Sequence, residues 1–311
     1  MTDTTDLLTG TFPAMTTPFE GEDLNRIDHD QLAADARRLE AAGVDGVVPS
    51  GSTGEAATMT HDEHVEAVET VVDAVDVPVI AGTGSNNTRE AISLSERAEA
   101  AGADALLLIS PYYNKPEPSG MYRHFRRVAD AVDVPIIVYN VPSRTGRSIE
   151  VETTVALAEH ENVCGYKAAS GDMGLISEVV EHTRDEEFVV LSGDDGMTLP
   201  IASAGGRGVI SVAANVEPVR VSEMVDAALE GDYEWARTLH HELGPLFRQL
   251  FVETNPIPVK EAMAIRGYGP GELRDPLGDL SREHRRDLKA ILAELGRRDP
   301  GEVTVEVEAA E

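Results

Sequence analysis

The chain has 311 residues, with 26 lysines and arginines against 56 aspartates and glutamates, so its formal net charge is −30. This charge excludes a nucleic-acid-binding protein, which needs cations to displace the counterions of phosphates, and an anionic membrane surface would repel the chain. The composition is acid-rich and poor in lysine, which is typical of proteins from salt-loaded, halophilic cytoplasms, where the Debye length falls to about 3 Å at 1 M salt.

The sequence also indicates where the protein works. It has a single cysteine, Cys164, which excludes an intramolecular disulfide and suits a reducing compartment. The first residues lack the basic start and apolar core of a signal peptide, and no apolar run approaches the roughly 18 residues of a membrane span. We therefore expect a cytoplasmic protein with no membrane or nucleic-acid partner.

Short β-branched segments alternate with amphipathic helical stretches along the chain. Strands are predicted at residues 11–19, 46–51, 77–84, 105–110, 134–142, 163–170, 188–194 and 208–216. Helices follow them, for example at 62–74, 89–101, 120–131 and 151–160. Many of the strands are nearly continuous apolar runs, as expected of parallel strands that are covered on both faces. Eight such units predict an α/β fold, a closed (β/α)8 TIM barrel.

The pattern changes after residue 216. Four helices are predicted in succession, at 221–230, 232–251, 258–266 and 282–295, and they indicate a C-terminal helical extension. We therefore divide the chain into a barrel at 1–230, an extension at 231–298 and a flexible acidic tail at 299–311.

Lys167 is the most informative residue for function. It lies within the sixth strand among small and apolar neighbours, and strand alternation places it inside the barrel. Burial favours the neutral amine and lowers its pKa, and a neutral lysine amine that faces a carbonyl compound forms a Schiff base. The alternative is a structural lysine that points outward or pairs with a carboxylate.

Other polar residues follow the strands at the end where barrel enzymes place their reactive groups. Tyr139, Tyr113 and Ser52 can form a hydroxyl relay for proton transfer, and Arg144 can hold a substrate carboxylate in a bidentate contact. The alternatives are a tyrosine at the edge of the core and an arginine in a surface salt bridge.

Two other kinds of site are weaker hypotheses. His61 and His64 are three residues apart at a helix start, but a third ligand is not evident nearby, so we expect no metal site. The glycines at 205–208 and 82–84 lack the spacing of a phosphate-binding loop. The adjacent acids Asp194 and Asp195 are interpreted as a helix N-cap.

Several motifs together resemble one family, the pyruvate-dependent class I aldolases typified by dihydrodipicolinate synthase. They are the segment Gly-Ser-Thr-Gly-Glu at 51–55, Tyr-Asn-Val-Pro-Ser-Arg-Thr-Gly at 139–146 and the lysine of the sixth strand. The likeness extends to residues 110–116, 208–215 and 255–260. The arginine within residues 139–146 is typical of the synthases, whereas relatives that act on sialic acid or 2-keto-3-deoxy sugars usually lack it.

The resemblance implies a reaction and a role for each matching residue. Lys167 would form a Schiff base with pyruvate, without any cofactor, and Tyr139 would transfer protons. Ser52 would link Tyr139 to Tyr113 of a neighbouring subunit in a homotetramer, a dimer of dimers. Thr53 and the backbone of Ile210 would bind the pyruvate carboxylate.

In that family Arg144 would bind the carboxylate of aspartate semialdehyde. The implied product is 4-hydroxy-tetrahydrodipicolinate, in lysine biosynthesis by the diaminopimelate pathway. An aldolase for N-acetylneuraminate or a 2-keto-3-deoxy sugar is the alternative within the family, and a non-catalytic barrel that senses pyruvate or lysine is the alternative outside enzymes.

Two positions depart from the synthases. Ser52 stands where they usually have threonine and sialate lyases often have serine, and Ala168 follows the lysine where the synthases commonly have glutamate. The resemblance also implies an allosteric site for lysine at a dimer interface, formed by Ala57, His61, His64, Asn86, Glu90 and Tyr112. The alternative for these positions is an inherited interface that does not respond to lysine.

Overall fold

The computed structural model describes residues 4–297. The predicted acidic tail at 299–311 and the last residue of the predicted extension lie outside the described residues.

The core of the fold is a ring of parallel strands. The strands are β1 (Gly10–Pro13), β2 (residues 47–48), β3 (Ile80–Gly82), β4 (Ala105–Ile109), β5 (Ile136–Asn140), β6 (Val163–Ala168), β7 (Val189–Ser192) and β8 (Gly208–Ser211). Seven of them form one sheet in the order β1-β8-β7-β6-β5-β4-β3. The short β2 closes the ring, because Val48 bridges to Ala14 after β1 and Val47 bridges to Val79 before β3. The predicted (β/α)8 barrel is therefore confirmed.

Helices surround this ring and continue beyond it. The α-helices are α1 (Thr4–Leu7), α2 (His29–Ala41), α3 (His61–Val72), α4 (Thr88–Ala100), α5 (Pro118–Ala129), α6 (Pro142–Thr145), α7 (Val151–Ala158), α8 (Met173–Thr183), α9 (Thr198–Ser203), α10 (Pro218–Glu230), α11 (Tyr233–Gln249), α12 (Ile257–Arg266) and α13 (Arg282–Leu295). Short 3-10 helices lie at Glu22–Leu24, Ala56–Thr58, Asp195–Met197 and Ala213–Asn215. Within residues 4–297, no helix is both long and apolar enough to cross a membrane.

Alternate residues of the strands pack into two different apolar cores. Leu107 and Ile137 belong to the cluster inside the ring, whereas their neighbours Leu106 and Val138 belong to the cluster between the ring and the helices. Both faces of each strand are therefore buried, which explains why the strands read as continuous apolar runs.

The strands are shorter than the predicted ones. The first was predicted at 11–19, but Phe19–Glu20 instead pairs with Arg26–Ile27 in a small antiparallel hairpin that the sequence pattern did not indicate. The fifth was predicted to reach residue 142, but Pro142 begins α6, where its missing N–H and fixed φ suit the first helical turn.

A long-range contact shortens β8, which was predicted to run to residue 216. The carboxylate of Asp195 accepts hydrogen bonds from the backbone N–H groups of Val212 (3.1 Å) and Ala213 (3.0 Å). Those N–H groups cannot then pair in a sheet, and the chain turns into a 3-10 helix instead.

The C-terminal helices pack on the outside of the barrel near β8. Val209 and Val212 share one apolar cluster with residues of α10 to α13. Helix α10 ends at Glu230, the predicted boundary, where Gly231 adopts a φ of 87°. One core therefore runs across this boundary and holds the extension against the barrel.

Candidate active site

Lys167 lies in the ring beside β5, because β6 pairs with β5 in a register that places it opposite Tyr139. The side chain is 6% exposed, and its Nζ lies 4.2 Å from the centre of the Tyr139 ring. Tyr139 belongs to the cluster inside the ring, so the lysine faces the interior as predicted and does not point toward the helices.

The surroundings of Lys167 favour its neutral form. Burial lowers the pKa of the amine to about 7, while the nearby charge of Asp195 raises it and that of Arg144 lowers it. A large fraction of the amine is therefore unprotonated near neutral pH, and its lone pair can attack a carbonyl carbon.

A glycine gives the lysine side chain its space. A Cβ atom on Gly193, which follows β7, would lie 2.9 Å from both Cγ and Cε of Lys167. The backbone N–H of Gly193 donates to the carbonyl of Ala168 (2.7 Å), so the two strands remain paired there. No sequence pattern distinguishes Gly193 from the other glycines at strand ends.

Tyr139 remains a protonated phenol over the whole neutral range. Burial raises its pKa to about 12, with Arg144 lowering it and Asp194 raising it to smaller extents. A neutral phenol beside the lysine amine can donate a proton to an oxygen that leaves or becomes charged at the same carbon.

The loop after β2 brings two predicted residues to the same end of the barrel. Thr53 is buried, and its Oγ1 accepts a hydrogen bond from Nδ2 of Asn255 (3.0 Å). Ser52 beside it is half-buried. Ile210 is buried in β8, in register with Phe12 of β1.

Arg144 lies on the short helix α6, directly after β5. Its guanidinium donates a hydrogen bond to the backbone carbonyl of Asn255 (2.8 Å), so its partner is a carbonyl oxygen of the extension and not a surface acid. This contact gives the arginine a defined direction near the barrel mouth.

Tyr113 differs from the other predicted catalytic residues. It lies in the loop after β4, and its side chain is 87% exposed, so its ring packs against little of its own chain. Its φ of 68° is unusual for a bulky residue. Within this chain the ring of Tyr113 is therefore open to solvent, whereas Tyr139 is buried.

The two adjacent acids have different roles. Asp194 caps a 3-10 helix as predicted, since its side chain accepts from the N–H of Gly196 (2.9 Å). Asp195 is instead buried, and it accepts a hydrogen bond from the hydroxyl of Ser211 (2.5 Å) besides the two backbone N–H groups after β8. Burial raises its pKa to about 6, although these hydrogen bonds favour the charged form.

The residues of the predicted allosteric site have unequal exposure. His64 is buried with its ring Nε2 hydrogen-bonded to the carbonyl of Gly82, and burial lowers its pKa. Glu90 accepts a hydrogen bond from the hydroxyl of Ser85 (2.9 Å). The remaining members are half-buried or exposed, namely Ala57, His61, Asn86 and Tyr112.

These features define a class of protein: a (β/α)8 barrel whose buried lysine can attack a carbonyl compound beside a protonated tyrosine. Residues 7–295 match the model of the Dihydrodipicolinate synthetase family, and the chain belongs to that family.

Curated and solved relatives agree with this assignment. The chain is 66% identical to a 4-hydroxy-tetrahydrodipicolinate synthase of Natronomonas pharaonis over 295 residues, which are 94% of this chain and 100% of the relative. A crystal structure of a dihydrodipicolinate synthase superposes with a TM-score of 0.89 at 47% identity, covering 93% of this chain and 99% of that one. The synthase of Acinetobacter baumannii, solved in complex with pyruvate, superposes with a TM-score of 0.90 at 37% identity, over 93% and 99% of the two chains.

Proposed function

We propose that this chain condenses pyruvate with L-aspartate 4-semialdehyde to give 4-hydroxy-tetrahydrodipicolinate, in lysine biosynthesis by the diaminopimelate pathway. The observation that carries the proposal is the buried Lys167 amine, with a pKa of about 7, next to Tyr139. The full-length relative at 66% identity, which is named for this reaction, supports the choice of substrates.

The reaction begins and ends at Lys167. Its neutral amine attacks the keto carbon of pyruvate, water leaves, and an imine forms with no other cofactor. Loss of a methyl proton gives an enamine, whose carbon forms a bond to the aldehyde carbon of the semialdehyde. In this step the imine forms again, and the aldehyde oxygen takes up a proton from Tyr139 and becomes a hydroxyl group. The amino group of the semialdehyde part then attacks the imine carbon and displaces Lys167, which closes the ring and frees the enzyme.

Tyr139 is the proton carrier for these steps. Its phenol donates a proton to the hydroxyl that leaves as water, and its oxygen takes up a proton when the imine becomes the enamine. The high pKa of Tyr139, caused by burial, means that the group starts each cycle as a donor.

Each of the two substrate carboxylates has its own binding group. Thr53 and the backbone of Ile210 hold the carboxylate of pyruvate, and Arg144 holds that of the semialdehyde. The pyruvate complex of the Acinetobacter baumannii synthase supports pyruvate as a substrate of this fold.

The working enzyme is a cytoplasmic homotetramer, a dimer of dimers. Tyr113 of a neighbouring subunit completes the relay to Tyr139 through Ser52. This role accounts for the exposed ring and the positive φ of Tyr113. Lysine binds at a dimer interface, at a site formed by Ala57, His61, His64, Asn86, Glu90 and Tyr112, of which His64 is buried.

Reductive trapping tests this function. Borohydride added with pyruvate should leave one reduced adduct on Lys167, found by mass spectrometry of peptides, and a coupled assay should show condensation with the semialdehyde. Lys167→Ala should lose the adduct and reduce condensation about a thousandfold or more. The matched control is Lys289→Ala, which removes an exposed lysine on α13 and should change neither result. An adduct on another residue, or a Lys167→Ala variant with normal turnover, would disprove the mechanism.

A further inference from the structure

Asn255 contacts both of the groups to which the proposed function assigns a substrate carboxylate. It lies between α11 and α12, where the extension returns to the barrel mouth, and it is 7% exposed. Its side-chain Nδ2 donates to Oγ1 of Thr53 (3.0 Å), and its backbone carbonyl accepts from Arg144 (2.8 Å). The mechanism above gives this residue no role.

The loop that carries Thr53 needs support from outside itself. Ser50 and Glu55 both adopt a φ of 56°, in the left-handed region that non-glycine residues rarely occupy. Such residues persist only where the surrounding structure holds them in place. Thr53 lies between the two strained positions.

The same part of the extension provides that support. Glu55 is fully buried and forms an ion pair with the equally buried Lys260 on α12 (2.5 Å). Its second carboxylate oxygen accepts the backbone N–H of Arg274 (3.1 Å), and the Lys260 amine also donates to the carbonyl of Glu272 (2.9 Å). Because these charges are paired and hydrogen-bonded, they hold the loop against the extension without exposing it to water.

The contact with Asn255 also sets the direction of the Thr53 hydroxyl. A hydroxyl has one hydrogen to donate and accepts through its lone pairs. Since Thr53 accepts from the Asn255 amide, its own hydrogen remains available for an anionic acceptor.

We propose that Asn255 is a positioning residue that turns the hydroxyl of Thr53 toward the carboxylate of pyruvate, so that the helical extension forms part of the substrate site. The inference rests on the proposed function, since it uses the assignment of Thr53 to pyruvate. It predicts that the side chain of Asn255 governs the binding of pyruvate, whereas its backbone carbonyl serves Arg144.

The test is a split between the two Michaelis constants. Asn255→Ala should raise KM for pyruvate about tenfold, which corresponds to one hydrogen bond of ordinary strength. Its KM for the semialdehyde should change less, because the carbonyl that accepts from Arg144 is main chain and survives the substitution. If the substitution only destabilised the folded protein, the fraction of active enzyme would fall and the two KM values would not change.

Glu253→Gln is the matched control in the same segment. The carboxylate of Glu253 binds the ring of His284 (2.7 Å) and the N–H of Ser281 (3.1 Å), both at the start of α13, so both constants should stay at the wild-type values. Asn255→Asp guards against misfolding of the alanine variant. It keeps the size of the side chain but replaces the donor with an anion, and it should raise KM for pyruvate further.

A double-mutant cycle with Thr53→Val decides whether Asn255 acts through Thr53. If it does, adding Asn255→Ala to Thr53→Val should cost almost nothing more, whereas independent effects would add. Additive costs, or a wild-type KM for pyruvate in Asn255→Asp, would overturn the inference. If the wild-type enzyme itself neither traps pyruvate nor condenses it, the proposed function fails instead.

Discussion

At the scale of single residues, the chemistry depends on how often the Lys167 amine is unprotonated. Burial and the charge of Arg144 both favour the neutral form, and Asp195 opposes them. Burial is the largest of these effects because an ammonium group in the barrel interior loses its hydration. The resulting pKa of about 7 lies where a modest change in pH alters the concentration of nucleophile.

Adduct formation with pyruvate should therefore rise with pH and level off above a midpoint near 7. The rate follows the neutral fraction of Lys167, and Tyr139, with a pKa of about 12, causes no decline at higher pH in this range. The measurement is the initial rate of trapping by cyanoborohydride with pyruvate alone, over roughly pH 5 to 9.

Arg144→Gln is the informative comparison for this profile. Removal of the positive charge raises the pKa of Lys167, so the midpoint should move to higher pH. The assay does not need the semialdehyde, whose carboxylate we propose that Arg144 binds. A midpoint close to 10 in the wild type, as for a solvated lysine, would contradict the assignment of a buried neutral amine.

The site residues that could be predicted from the sequence are those whose residue type is unusual for their position in a predicted strand or loop. A lysine in an apolar strand and an arginine directly after a strand are such cases, and the structure places Lys167 and Arg144 at one end of the barrel. Asn255 could not be found in this way, because its partner Thr53 is 202 residues away in the chain. Asp195 resembled a helix cap, and only the fold shows that it binds the turn after β8.

At the scale of elements, the pairing of β6 with β7 determines the space around the Lys167 amine. Lys167 is in register with Leu191 and Ala168 with Ser192, so Gly193, the first residue after β7, lies against the lysine side chain. A side chain at this position would occupy the path of the Lys167 methylenes.

Gly193→Ala should therefore impair catalysis more than folding. The new Cβ would lie 2.9 Å from Lys167 and push its amine away from the reacting carbon, and a shift of this kind costs about 10- to 100-fold in kcat. We expect the loss of stability to be about 1–3 kcal/mol, as for other overpacked sites. The measurements are the kcat of condensation and the free energy of unfolding in urea.

Gly196→Ala is the control in the same loop. Its Cβ would meet Asp194 at 3.4 Å, an ordinary contact, so activity and stability should stay near the wild-type values. Equal losses in the two variants would show that the loop tolerates no side chain in general and that Lys167 is not the cause.

The number and order of the barrel strands could be read from the sequence, but their ends could not. Apolar runs identify the buried part of each strand, whereas its last residue depends on which backbone groups find another partner. Residues 212–215 are as apolar as β8 before them, and the distant carboxylate of Asp195 ends the strand. The hairpin around Phe19 was missed for a similar reason, since Phe19 packs beneath Lys260 and Arg274 of the extension.

At the scale of the whole molecule, the net charge of −30 results in part from the small number of lysines, of which the chain has four. Two of the four, Lys167 and Lys260, are buried, so the lysines contribute little to balancing the acids of the surface. The described ion pairs of that surface mostly use arginine, for example Arg97 with Asp62 (2.8 Å) and Arg147 with Glu117 (2.7 Å). Exposed pairs of this kind contribute about 0–1 kcal/mol each, and the excess acids still repel one another.

Salt should therefore increase both the melting temperature and the turnover of this protein. At about 1 M salt the Debye length is roughly 3 Å, so repulsion between surface acids and between the surface and the anionic substrates is largely screened. The buried pair of Glu55 with Lys260 is shielded from solvent and should hold the site loop at every salt concentration. The measurements are Tm and kcat/KM in potassium chloride from about 0.1 to 3 M.

Sucrose is the control that separates charge screening from a general stabilisation of the folded state. It favours burial without screening charge, so it should reproduce only a minor part of the increase in Tm and turnover. If Tm and turnover were highest in dilute buffer, the acidic surface would not be an adaptation to salt, whereas the barrel and its lysine chemistry would be unaffected.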